Sequence, residues 1–390
     1  MKARSILLLI VAQMAALSLW FVSAAILPDM LAQADISPFR QAALSSAVQV
    51  GFVVGALASA VTGLSDRIDP RFVFAACAFV AACANALLTL VEPGGILAIS
   101  LRFVTGAMLA GVYPVGMKIA VGWGTKDRGF LVSALIGALT FGSALPHLIA
   151  LGGGADWRAT VLITSAASVL AAVLVLGTRL GPHHAKAALF NMRVVTTAWT
   201  NRRVRLAYAG YLGHMWELYA MWAWVGVAAA ASYRLRAADP VAQTLGSITA
   251  FSAIAAGAVT CLIAGKLADR YGKAEVAAAA MACSLIAAVA TGLSFGGPIW
   301  ITFALFVIWG IAIIPDSAQF SALVADASPP EHAGSLMTFQ TALGFTLTFF
   351  TVQVTPLAAQ ALSWPAVFYI LAIGPALGIV AMMRLRHLGR

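Results

Sequence analysis

Ionisable side chains are scarce in this sequence, and those that interrupt its apolar runs are the ones that could do chemistry. Glu217 falls near the middle of one such run, with His214 three residues earlier. On a helix that spacing puts the two on adjoining faces one turn apart. A carboxyl and an imidazole so placed could pass a proton; alternatively each is structural and bonds a facing helix. Tyr211 and Tyr219 are the aromatic neighbours best placed to line a cavity beside them. Arg102 and Lys118 interrupt an earlier run, roughly 160° and about 24 Å apart on an unkinked helix, so they cannot share one small ligand. Arg102, Gly106 and Tyr113 share a face, which makes Arg102 either an anion contact lining a cavity or a structural pair. Lys118 and Asp316, beside Pro315, fall at like depth in opposite halves of the chain. They could form an ion pair that closes one side of the protein, or extend to water independently.

The surrounding composition says what must position these groups. Of 390 residues, 62% are hydrophobic and 10% charged, and the mean hydropathy is +0.93, whereas a soluble domain carries about 25% charged residues. Crossing about 30 Å of hydrocarbon takes ~20 apolar residues. Apolar runs near 5–27, 43–61, 72–91, 96–121, 130–151, 159–176, 206–230, 245–263, 274–293, 299–324, 335–357 and 365–383 predict twelve transmembrane helices. The first of these is read as a span, not as a signal peptide, because it is long and equally apolar runs follow it. Dyad periodicity is missing, so the expected fold class is an all-α integral membrane protein.

With the N-terminus inside, eighteen of the 24 lysines and arginines fall on the cytoplasmic side, while Arg40, Arg158, Arg234 and Arg236 fall outside. This asymmetry predicts cytoplasmic termini and accounts for the net charge of +10 without nucleic acid. The long polar connection divides the chain into an N-terminal six-helix bundle (1–180), a cytoplasmic linker (181–204) and a C-terminal six-helix bundle (205–390). The halves also repeat one another. Asp66-Arg67 recurs as Asp269-Arg270, and Pro114 as Pro315, at nearly the same offset.

These motifs resemble those of the major facilitator superfamily, and the resemblance spans the chain. The loop pattern Gly-x-x-x-Asp-Arg-x-Gly-Lys/Arg is matched from Gly265 to Lys273, and in part by the first copy, where Asp69 replaces the second glycine. Arg102 with Gly106 matches the pattern of span four, and Lys126-Asp127-Arg128-Gly129 opens span five. The resemblance implies two pseudo-symmetric six-helix bundles around a central cavity that opens alternately to each side. It also implies conformational roles for Asp66, Arg67, Asp269 and Arg270. The span-five signature of antiporters is degraded to Gly142-Ser143-Ala144-Leu145-Pro146-His147, and spans four, five and seven look more like the cyanate and nitrate permease branches.

The function expected is therefore secondary active transport of a small anionic or polar solute, with Arg102 and Tyr113 on the substrate and Glu217 and His214 coupling protons. A proton-coupled exporter of cationic or amphipathic compounds is the alternative, and a membrane sensor that has lost transport is a third reading. No nucleotide loop or nucleophile elbow points to an enzyme. No cofactor is expected. Cys77, Cys83, Cys261 and Cys283 lack metal-ligand spacing, and His183-His184 reads as a solvated loop feature. A monomer in a bacterial cytoplasmic membrane completes the expectation.

Overall fold

Long apolar runs can lie in hydrocarbon only as helices or closed barrels, because every backbone N–H must find its acceptor there. The computed structural model describes residues 1–124, 127–153, 156–184 and 191–388, and among them every regular element is a helix. The N-terminal half comprises α1 (Lys2–Leu17), α2 (Val22–Leu31), α3 (Pro38–Thr62), α4 (Leu64–Arg67), α5 (Pro70–Ala86), α6 (Ile96–Leu109), α7 (Tyr113–Val121), α8 (Arg128–Gly153) and α9 (Trp157–Leu176). After α10 (Thr197–Thr200) come α11 (Arg202–Tyr233), α12 (Asp239–Tyr271), α13 (Lys273–Leu293), α14 (Ile299–Ile313), α15 (Ser317–Asp326), α16 (Pro330–Ala361) and α17 (Trp364–Leu388).

Among the described residues, eleven stretches are long and apolar enough to cross a membrane. The twelfth crossing is α11, whose Tyr, Trp, His and Glu side chains lower its mean hydropathy below that of the others. It tolerates them because protein surrounds it: 22 of its 32 residues are buried, against α12, α16 and α17.

Local chemistry sets the ends of the spans. Asp69, which departs from the repeated loop pattern, caps α5 by accepting the Arg71 backbone N–H at 2.9 Å, with Pro70 in the first helical turn. Its carboxylate also meets the Arg71 guanidinium at 2.6 Å, which holds the Asp69 carboxyl below the usual carboxylate range. Asn201 caps α11 through the N–H groups of Arg203 and Val204. The span expected to end at 263 continues to Tyr271, because Lys266-Leu267-Ala268-Asp269-Arg270 are residues a helix tolerates beyond the hydrocarbon. It stops at Gly272, whose φ of 102° is in the region that favours glycine.

Three spans are broken. Span one breaks between Leu17 and Val22, span four between Leu109 and Tyr113, and span ten between Ile313 and Ser317. The last two breaks adjoin Pro114 and Pro315, so the duplicated register includes a duplicated interruption. The halves meet mainly where α3 lies along α16 and α8 lies along α12. Ser46 donates to Gln353 at 2.9 Å across the first seam, and Gln353 donates to the Phe39 carbonyl at 2.8 Å. Within the N-terminal half, Gly106 lets α6 touch α3: a Cβ there would lie 2.0 Å from the Val48 carbonyl oxygen.

Candidate functional site between the halves

Breaking a helix frees carbonyls that must find new donors. In span one the freed carbonyls of Leu19 and Trp20 accept from Nη2 of Arg102 at 2.9 and 2.7 Å. Nη1 donates to Asn85 Oδ1 at 3.0 Å and Nε to the Leu44 carbonyl at 3.4 Å. Asn85 is oriented in turn by the Val161 carbonyl and Ser165. Arg102 is fully buried and faces the C-terminal end of α1, where the helix dipole is negative. Its planar fork is thus engaged by protein acceptors, the structural alternative of the two that the sequence left open. Asn85 was not a candidate in the sequence; a buried amide in an otherwise apolar run was its signal.

Glu217 is also buried, and it points away from the other half. Its Oε1 accepts from Trp309 Nε1 of α14 at 2.7 Å, and its Oε2 accepts from Ser284 Oγ of α13 at 2.8 Å. One carboxyl therefore ties three helices of the C-terminal half together. Glutamine can make both contacts, because its Oε1 accepts from the indole and its amide donates to Ser284. Glu217→Gln should leave the thermal unfolding midpoint in detergent nearly unchanged. Glu217→Ala, which strands the buried indole N–H, should destabilise by about 1–3 kcal/mol.

His214 and Glu217 do not pair with each other. His214 Nδ1 lies 2.8 Å from Asp316 Oδ1, a distance fit for an ion pair though outside hydrogen-bond alignment, and both side chains are buried. Asp316 occupies the break in span ten, at the N-terminus of α15, where partial positive charge favours a carboxylate. Asp316 thus meets an imidazole of its own half, where the sequence allowed either an ion pair with Lys118 or two independent charges. Lys118 is half-buried in the last turn of α7.

Beyond this pair, aromatic rings from both halves close on one another. Trp20 and Phe21 at the span-one break meet Tyr219 at centroid distances of 5.9 and 5.8 Å, and Phe21 meets Trp222 at 5.7 Å. Phe52 and Phe345 complete the cluster at 4.6 Å. Tyr211 lies beside His214, and Tyr113 is half-buried at the start of α7. Trp20 Nε1, Trp222 Nε1 and His214 Nε2 are buried and have no hydrogen-bond partner among the described residues. The two tryptophans were not candidates, because a membrane tryptophan reads by default as packing or as an interfacial anchor.

The repeated loops stand apart from this region. Arg67 and Arg270 are exposed, and Arg270 covers the ring of Tyr271 at 5.0 Å. Asp269 lines a cavity of about 520 Å³ at the ends of α12, α13, α15 and α17. The Asp66 side chain and Lys126 lie outside the described residues. Among those described, no group of His, Cys, Asp and Glu side chains has the arrangement of a metal site.

A family model for the Major Facilitator Superfamily matches residues 8–351. The chain belongs to that superfamily. This facilitator is therefore a membrane transporter and not an enzyme. Its fold is similar to a crystal structure of a mutant of the nucleoside transporter NupG, with a TM-score of 0.73, 14% identity, and coverage of 97% of this chain and 99% of that one. It is similar to the proton:xylose symporter XylE bound to 6-bromo-6-deoxy-D-glucose, with a TM-score of 0.72, 14% identity, and coverage of 98% and 96%. XylE from E. coli in a partially occluded inward open conformation also gives a TM-score of 0.72 at 14% identity, with 97% of both chains covered. No curated protein matches the sequence.

Proposed function

We propose that this facilitator moves a small, oxygen-rich polar solute by alternating access, coupled to protons through His214 and Asp316. The observation that carries this reading is the set of buried, unpartnered donors: Trp20 Nε1 and Trp222 Nε1 in the ring cluster that joins the two halves, and His214 Nε2 two turns from Trp222 on α11. A buried N–H without an acceptor is costly, and the hydroxyl or carbonyl oxygens of a solute would satisfy it. Donors from both halves also suit alternating access, since a solute bound between them can separate from one set as the bundles rock. An anionic solute loses its best contact, because Arg102 is engaged by carbonyls and Asn85. A second buried acid, Asp316, sits beside an imidazole, a pair suited to holding and releasing a proton.

Tyr113, Tyr211 and Tyr219 are assigned to the solute site, and Glu217 to the integrity of the C-terminal half. Asp66, Arg67, Asp269, Arg270 and Lys118 are assigned to conformational roles. Cytoplasmic termini, supported by the charge asymmetry, and the bundle boundaries 1–180 and 205–390, supported by the duplicated motifs, belong to the reading, together with a monomeric state in a bacterial inner membrane. A thermal-shift panel on the purified protein tests it, because a specific ligand stabilises the folded state by mass action. Neutral polyhydroxylated or carbonyl-bearing solutes should raise the unfolding midpoint, and Trp222→Phe should abolish the shift. Stabilisation confined to organic cations would favour the exporter reading, and stabilisation confined to anions would return Arg102 to the solute.

A further inference from the structure

The connection leading into α11 has a chemistry of its own. From Trp157 to Trp216 the sequence contains no aspartate or glutamate, and Arg193, Arg202, Arg203 and Arg205 cluster at its membrane-proximal end. Residues Met192–Thr196 form a 3-10 turn that continues into α10. Val194, Val195 and Ala198 are buried beneath them, while Met192 and Trp199 are 67% and 58% exposed. Two hydrogen bonds fasten the segment to the C-terminal half: the Asn191 N–H to Ser335 Oγ at 3.0 Å, and Asn201 Nδ2 to the Ala327 carbonyl at 3.0 Å.

Its position relative to the bilayer follows from α11. Arg205, Ala209, Leu212 and Trp216 are the exposed or half-buried positions along one stripe of that helix, so this stripe faces lipid. Arg205 lies roughly 16 Å along the helix from Trp216, about half the hydrocarbon thickness, which sets Arg205 at the boundary with water. Its Nη1 donates to the Trp199 carbonyl at 3.1 Å, holding the exposed indole at the same level. A tryptophan and a methionine beside several guanidiniums are the groups that an anionic membrane surface receives best. The neighbouring cavity is unlike this. Its cations are matched by acids, Lys273 with Asp326 at 2.5 Å and Arg386 with Glu275 at 3.1 Å, and Arg203 turns toward that side to donate to the Leu388 carbonyl.

We infer that residues 192–205 form an interfacial anchor that binds anionic phospholipid headgroups, with Trp199 and Met192 in the interface and Arg193, Arg202 and Arg205 on the phosphates. Because the segment is fastened at the junction of α15 and α16, the bound lipid restrains that junction. This inference stands apart from the identity of the solute.

The test titrates the purified full chain in detergent with short-chain phosphatidylglycerol, short-chain phosphatidylcholine and inorganic phosphate, following the unfolding midpoint. Phosphatidylglycerol should raise the midpoint by several degrees, and the other two should not. The variant R193Q/R202Q/R205Q should bind phosphatidylglycerol about 100-fold more weakly, at roughly fivefold for each cation. R40Q, with its charge in the first turn of α3 at the opposite face, should bind like the parent. Equal stabilisation by phosphatidylcholine, an equal shift from inorganic phosphate, or undiminished affinity in the triple variant would overturn the proposal. Should the triple variant fail to fold, the parent and W199F are compared in vesicles of brominated lipid. The quenching that belongs to Trp199 should be larger in brominated phosphatidylglycerol than in brominated phosphatidylcholine. Equal quenching in the two would reject the anchor.

Discussion

Arg102→Met should lower the stability of the protein by about 3–5 kcal/mol, read as a fall in the detergent unfolding midpoint and in the yield of folded protein. Methionine fills similar space but leaves the carbonyls of Leu19 and Trp20 and the Oδ1 of Asn85 without their donor, in a region closed to water. Each such loss costs about 1–3 kcal/mol where nothing replaces the partner, and relaxation of the break in span one recovers part of the sum. Arg102→Lys should recover only a fraction, since an ammonium retains the attraction to the end of α1 but cannot span the two carbonyls and Asn85 with one planar group. The same pair of variants separates strut from ligand contact. A residue that holds solute would, when changed, weaken solute affinity while leaving the midpoint alone.

Asp316→Asn should abolish accumulation driven by a pH gradient, lowering it at least tenfold in proteoliposomes, while downhill exchange of solute continues. The amide keeps the size and the place at the head of α15 but cannot bind and release a proton. His214→Gln should act in the same direction, and the double variant should be no worse than either single one, because the two side chains act as one unit 2.8 Å apart. Glu217→Gln should leave gradient-driven accumulation intact. If that variant alone uncouples transport, the proton site moves to the Glu217, Ser284 and Trp309 cluster and the present assignment fails.

The twelve crossings were legible because hydrophobic runs of this length have few alternatives, and although spans four and ten were read as unbroken, their breaks are marked by Pro114 and Pro315. The break in span one is not. Ser18-Leu19-Trp20-Phe21 contains neither proline nor glycine, so nothing in the sequence shows that two carbonyls there lack partners. The contacts of Arg102 depend on that break, which is why an arginine expected on the solute is found on carbonyl acceptors only in three dimensions. Glu217 and His214 were legible as intramembrane polar groups, but their partners were not. One residue of rotation decides whether a side chain looks across the midline or into its own bundle, and sequence spacing relates only residues on the same helix. The extension of α12 through Tyr271 was missed for a simpler reason: charge marks the end of the hydrocarbon, not the end of a helix.

The composition of α11 carries a consequence for biogenesis. A segment containing Glu217, His214 and several tyrosines and tryptophans partitions poorly into lipid by itself, because its polar groups reach their partners only on later parts of the chain, Ser284, Trp309 and Asp316. During synthesis α11 must therefore wait at or near the translocon until α13 and the broken tenth span have emerged, and only their arrival makes its integration into the bilayer favourable.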